Sequence, residues 1–226
     1  MSTNNIFLQD FIIVIPFSLW SFFVVNWLSK WVYNFAIKRG FPPNSATYFG
    51  RKVIHIFAAG ITTLFLPFLF KEAYIPFILG LGFAFYTYFF HKIKKLQNWY
   101  QVKENRHEVN FCIMWSLSIL IGWFLDKSFW LGVIPALFMA FGDGVTGIIR
   151  NFRYKKQSKA WEGSLGMFLT CAVIGGLKMG IAGLVAAFVA TFFERFDDDN
   201  IYIPVSSFLV LAICLYFFPE LTKPFI

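Results

Sequence analysis

The sequence predicts an all-α, polytopic integral membrane helix bundle of about eight transmembrane spans, within a range of seven to nine. Three observations predict it. The 226 residues are 58% hydrophobic and only 14% charged, with a mean hydropathy of +0.63, whereas a soluble domain carries about 25% charged residues. Apolar runs recur along the whole length, several close to the ~20 residues that cross a hydrocarbon core. Basic residues collect in alternate loops. The length suits a single transmembrane domain over residues 1–226.

The first span, Phe11–Ile37, follows the stretch MSTNNIFLQD, which lacks a basic n-region. The apolar run behind it is too long for a cleavable signal peptide, so it reads as a retained span. The second, Lys52–Phe70, starts behind Arg51, and the third, Tyr74–Phe90, ends at a basic segment. That segment, His91–His107, mixes Lys with Trp, Tyr and Leu. It reads as an amphipathic helix on the membrane surface, with His91 and His107 as interfacial polar residues. The fourth and fifth spans are Phe111–Leu125 and Phe129–Ile149. The sixth and seventh, Ser164–Leu177 and Ile181–Phe193, are short and glycine-rich, and read as two spans of low tilt or as a re-entrant pair. Ile201–Phe218 is the eighth.

Loop charge sets the orientation. With the amino terminus outside, the inner loops hold fifteen Lys and Arg and the outer loops and tail hold four. Both termini are therefore expected outside, and the inner loops in the cytoplasm, at a prokaryotic cell membrane or the endoplasmic reticulum. The net charge of +8 is then mostly topological. No nucleic-acid partner is expected, because its basic site would compete with lipid head groups. Cys112, Cys171 and Cys214 lie far apart in apolar runs and form no disulfide framework or metal motif.

Polar residues not needed for topology gather on the inner side. Asp143, between Gly142 and Gly144, sits about two turns from the inner end of its span, and ionisable residues inside spans are costly and mark function. The basic run Arg150–Lys159 leads into Glu162 and Gly163-Ser164. Free N–H groups at such a helix start favour phosphate, so Arg150, Arg153, Lys159, Gly163 and Ser164 are nucleotide-binding candidates. Carboxylates beside a phosphate surface suit Mg²⁺. Asp143 and Glu162 are the first candidate ligands, joined by Asp198, Asp199 and Asn200 of ERFDDDN, where three consecutive aspartates call for a cation or water. Arg51 and His55, four apart, share a helix face. Arg51 is placed to clamp a phosphate, and His55 to act as a base or orient an acceptor hydroxyl. Lys52 reads as an interfacial anchor. The chemistry that fits is phosphoryl or nucleotidyl transfer from a soluble nucleotide to a membrane lipid, without a P-loop.

Four motifs, RKVIHI at Arg51–Ile56, GDGVTGIIR at Gly142–Arg150, KAWEGSLGMF at Lys159–Phe168 and DDNIYIP at Asp198–Pro204, come in the order found in the dolichol kinase, phytol kinase and yeast-type diacylglycerol kinase family. The chain resembles that family from Arg51 to Pro204. The resemblance implies a CTP-dependent kinase of a membrane lipid alcohol, most simply a polyprenol such as dolichol, phytol or geranylgeraniol, working with Mg²⁺. It assigns Arg51, His55, Asp143, Lys159 and Glu162 to catalysis, Asp198 and Asn200 to the site, and Glu194 to a supporting role; Asp199 stands less clearly on a motif position. Relatives carry Lys-Ser or Lys-Thr before Glu-Gly, whereas Ala160 here lacks the hydroxyl, leaving Ser158 or Ser164 to substitute.

WEG at Trp161–Gly163 is also similar to phosphatidate cytidylyltransferases, so cytidylyl transfer is the nearest alternative. Those enzymes have a Ser-Pro-containing stretch before the motif, and RYKKQSKAWEGS has no proline. A transporter or lipid-binding protein would place acids near the midplane, where only Asp143 is even moderately deep. Gly176-x-x-x-Gly180 suits helix dimerisation or packing inside one bundle, and leaves the oligomeric state open.

Overall fold

Inside a bilayer each backbone N–H and C=O has to be satisfied within its own structure. The computed structural model, described for residues 3–156 and 158–225, meets that demand with helices: it is 82% helical, with no strand among the described residues. Met1 and Ser2 of the amino-terminal stretch and Gln157 of the basic loop lie outside the described residues. Among the described residues seven helices are long and apolar enough to cross a membrane: α1 Ile6–Lys38, α2 Pro43–Leu69, α3 Tyr74–Lys92, α4 His107–Leu125, α5 Trp130–Tyr154, α6 Trp161–Phe193 and α7 Asp199–Phe217. The chain is a multi-pass membrane protein.

One of the seven is folded back on itself. Within α6, Met179 (φ −133°) and Gly180 (φ +52°) leave helical geometry. A positive φ favours glycine, and the legs 161–178 and 181–193 meet so closely that a Cβ on Gly183 would stand 2.0 Å from the Gly175 carbonyl oxygen. Arg150 and Lys159, at the start of the hairpin, bond Glu194 at its end. The sixth and seventh runs of the sequence are thus the two legs of one hairpin. Both glycines of Gly176-x-x-x-Gly180 are engaged inside the bundle, Gly180 in the turn and Gly176 against Phe225.

The two described chain ends lie at one end of the bundle. There Asp10 accepts hydrogen bonds from the backbone N–H groups of Lys71 and Glu72, Lys178 lies over the Trp130 ring, and Phe225 N–H donates to Gly176 O. The opposite, polar end carries the fifteen Lys and Arg assigned to the inner side, nine in its loops and six in the adjoining helix turns. Across its apolar window α5 is 78% buried, against 22% for α1, so α5 is the central helix and α1 lies at the rim. A helix apolar all round belongs in such a position. Outward side chains such as Leu19, Phe85 and Phe188 face the lipid.

Residues 93–106 correct the expected surface helix. They run as turns and coil between α3 and α4. Side-chain hydrogen bonds give this backbone an alternative to helix. Trp99 Nε1–H donates to Val25 O (2.8 Å), Thr47 Oγ1–H to Asn98 O (2.7 Å), and Gln101 accepts from its own strap at Gln97 N–H (3.0 Å). Tyr100 is 1% exposed. The segment is a strap tucked into the polar end.

Gly183→Ala is expected to lower thermal stability in detergent by about 2 kcal/mol or more, because backbone atoms cannot yield as side chains do. Gly82→Ala, with nothing within 4 Å of its Cβ, is the matched control and should be neutral or slightly stabilising.

Candidate active site

Two helices leave regular α geometry where they approach each other. π-helical turns occupy Ile54–Gly60 in α2 and Phe138–Gly142 in α5, and the two stretches pack together. Such turns are rare and recur at functional sites. One contains His55 and the other ends immediately before Asp143.

These three side chains form one closed group. Lys52 Nζ donates to both Asp143 oxygens, each at 2.6 Å, and His55 Nδ1–H donates to Oδ2 at 3.1 Å. Asp143 is 1% exposed, His55 2% and Lys52 3%. The His55 ring stacks on Phe111, with centroids 4.1 Å apart, and Lys52 Nζ lies over Tyr48. With Nδ1–H given to the carboxylate, His55 keeps Nε2 for another partner. Lys52 is therefore no interfacial anchor; it is the counter-ion of Asp143. Because α5 continues to Tyr154, Asp143 lies about three turns from the end of its helix, one turn deeper than the apolar run implied.

A second group surrounds Glu194, which is fully buried. Arg150 grips it through Nη1 (2.5 Å) and Nη2 (3.1 Å), and also bonds Ser164 Oγ (2.9 Å) and Ala160 O (2.7 Å). Gly163 is needed here, since a Cβ would stand 2.5 Å from Arg150 Nε. Lys159 Nζ donates to Glu194 O (2.7 Å) and contacts Asp199 Oδ2 at 3.4 Å. Asp199 in turn lies within reach of the charges of Asp143 and Lys52.

The remaining expected residues separate. Glu162 stands at the exposed rim with Arg153 (3.2 Å) and Tyr154 (3.0 Å). Asp198 accepts from Asn110 Nδ2 (2.6 Å) and His107 Nδ1–H (3.2 Å). Burial raises this carboxyl, but those bonds outweigh it and hold it below the usual carboxylate range. Asn200 is buried, and its Oδ1 has no hydrogen-bond partner among the described residues. Arg51 reaches the strap: Nε–H donates to Tyr100 O (3.2 Å), and Nη2 lies 3.5 Å from Asn105 Oδ1 and 3.8 Å from Glu108 Oε2. So Arg51 and His55 share a helix face but hold different partners.

The expected five-residue metal set is not assembled. Among the described residues no three His, Cys, Asp or Glu side chains gather at ligand spacing, and both oxygens of Asp198 are taken by donors. What fits Mg²⁺ is narrower: both Asp143 oxygens are held by Lys52 and His55, which leaves Asp199, whose one cationic contact is long, and the orphaned Asn200 Oδ1 next to it in sequence. That suffices for an ion that takes most of its ligands from phosphates and water.

Next to His55 opens a narrow cleft with about 80 Å³ open to water-sized molecules. Its wall on α2 runs from Arg51 through His55 to Thr62, roughly 16 Å of helix. It is mostly apolar, with Ser21, Thr62 and Thr87 as isolated hydroxyls, and its charged groups gather at the polar end, where Arg51, His55, Tyr100 and Glu108 meet. Burial, with Tyr86 and Glu108 adding to it, raises the Tyr100 phenol well above its ordinary value, so it stays protonated.

Lys52, Tyr100 and Glu108 are the members that sequence reasoning missed. Lys52 and His55 are three apart and share a face as well as Arg51 and His55 do, which was the available signal. Glu108, an acid in the first turn of an apolar helix, was the other. No family model, curated protein or solved structure matches this chain.

Lys52→Met is expected to destabilise the protein by about 3–5 kcal/mol, by stranding a buried carboxylate. Lys52→Met/Asp143→Leu should recover most of that loss. Thermal unfolding of both variants in detergent measures the difference.

Proposed function

We propose that this protein is a CTP-dependent kinase that transfers the γ-phosphate to the hydroxyl of a membrane lipid alcohol, a polyprenol-type alcohol above all. The observation that carries the reading is the junction at His55. One side of its ring lines a mostly apolar cleft that runs along α2, and the other side bonds Asp143, at the edge of a cluster of buried acids and bases. An alcohol entering the cleft would bring its hydroxyl to the wall that this cluster backs.

The chain's residues divide the work as follows. His55, fixed by Asp143, forms the wall beside the acceptor hydroxyl. Lys159 and Arg153, 34% and 63% exposed at their side chains, are the cations free enough to meet the triphosphate. Arg150 is committed to Glu194, so its part is to hold the loop 155–160 and the start of α6 in place. Ser164 is tied into the same pair. Mg²⁺, held by Asp199 and Asn200, would neutralise phosphate charge, with Asp143 holding Lys52 and His55 behind it. Transfer of this kind depends on positioning and charge stabilisation more than on covalent help from the protein. CTP as donor and the cytoplasmic placement of the polar end rest on the motif resemblance and on the loop charges.

The test uses purified protein, Mg²⁺, and CTP labelled at either the γ- or the α-phosphate, with geranylgeraniol, diacylglycerol or phosphatidic acid as acceptor. Label from the γ position on an alcohol is the expected result, and Asp143→Asn should reduce it on the order of 10²-fold or more. Label from the α position on phosphatidic acid would make the protein a cytidylyltransferase. No transfer from either would leave the buried Lys52–Asp143 pair to an ion or lipid pathway.

A further inference from the structure

Three buried polar atoms of the residues lining the cleft lack partners among the described residues: Thr62 Oγ1 by itself at the far end of the α2 wall, and a pair at the polar end. Glu108 is 6% exposed and Tyr100 1%. Glu108 Oε1 accepts from His91 Nε2–H (2.5 Å) and Gln101 Nε2 (3.0 Å). Its Oε2, however, has no hydrogen bond among the described residues, and neither does Tyr100 Oη. Arg51 Nη2 stands 3.8 Å from Oε2, near enough to balance its charge and too far to bond it. Both residues line the cleft, and the carboxylate acts electrostatically on the phenol.

A buried acceptor and a buried donor left open in this way each carry a desolvation penalty. Both are relieved by a single group that donates one hydrogen bond and accepts another. A hydroxyl does both; an ether, an ester carbonyl or a hydrocarbon end does not. Beyond these atoms the cleft is walled mostly by apolar side chains, Ile54, Ala58, Phe83, Phe111 and Trp115, which suit a chain; the isolated Thr62 Oγ1 has no unpartnered second group beside it in the wall.

We infer that the cleft takes a long-chain alcohol head-first, its O–H donating to Glu108 Oε2 and its oxygen accepting from Tyr100 Oη, so that Glu108 and Tyr100 select for the hydroxyl. This deepens the lipid-alcohol reading above and rests on it for the identity of the ligand class. Arg51, bonded to Tyr100 O and paired with Glu108, is then a positioning residue for both. The His91 and Gln101 bonds to Oε1 fix the carboxylate so that Oε2 faces the cleft.

The test is a binding experiment that needs no turnover. A long-chain alcohol carrying a diazirine at its far end is photo-crosslinked to the purified protein, and the labelled peptides are mapped. Geranylgeraniol and its O-methyl ether are the competitors. Labelling is expected on α2, α3 and α4, with the free alcohol displacing the probe at about a tenfold lower concentration than the ether. Glu108→Gln should erase most of that preference, and Tyr100→Phe should reduce it. Equal competition by alcohol and ether on the wild-type protein, a comparison that needs no variant, would overturn the inference. So would labelling confined to other surfaces, or an unchanged preference in Glu108→Gln. Hydroxyl-selective binding without γ-phosphate transfer would remove the kinase reading and keep this one. Transfer accompanied by equal competition would do the reverse.

Discussion

The contact between Lys52 and Asp143 constrains the rest of the structure. An isolated carboxylate moved from water into a medium of low dielectric costs on the order of 20 kcal/mol in the idealised limit, and several kcal/mol after relaxation. Here it lies 1% exposed on the central helix, so its counter-ion has to be close and both of its oxygens satisfied. Lys52 and His55 supply this from one face of α2. Bringing α2 against α5 at that depth coincides with the π-helical turns at Ile54–Gly60 and Phe138–Gly142. The pair adds no stability that an apolar replacement could not match, which is why its presence in so apolar a bundle asks for a functional reason.

The polar end solves a related problem with a second ion pair. Arg150 and Glu194, nearly inaccessible to solvent, join the end of α5, the start of the α6 hairpin and the turn that follows it. The hairpin can return to this point because Gly180 turns the chain and Gly175 and Gly183 let its legs touch. Lys159 then reaches from the loop to Asp199, and Asp199 comes within electrostatic range of Asp143. The strap 93–106 closes the other side through Tyr100 and Gln101 and delivers Arg51 and Glu108 to the mouth of the apolar cleft.

Much of this was legible in the sequence, because apolar run length and loop charge act locally. The apolar spans, their order and the shared end of the chain termini follow from those two quantities. Asp143 was legible for the same reason, as a charge inside an oily run. What was not legible depended on side chains meeting across sequence distance. Lys52 looked like an anchor because its partner lies 91 residues away. Glu162 looked like a ligand from its place after a basic loop, yet its helix turns it outward to Arg153. Residues 93–106 had the composition of a surface helix, and Trp99, Gln97 and Gln101 drew the backbone into hydrogen bonds that no periodicity displays. The unpartnered oxygens of Glu108 and Asn200 are visible only once everything around them is placed.

The claim on which the account turns is that the buried charges at the polar end exist to meet a metal-bound nucleotide. Equilibrium binding of labelled CTP to the purified protein in detergent tests it most directly, with Mg²⁺ present and then removed by chelation, and with Asp199→Asn beside the wild type. The account predicts saturable binding at one site that needs Mg²⁺ and weakens about tenfold or more in the variant. Absence of saturable CTP binding in the folded wild-type protein, or binding indifferent to both Mg²⁺ and Asp199, would contradict it.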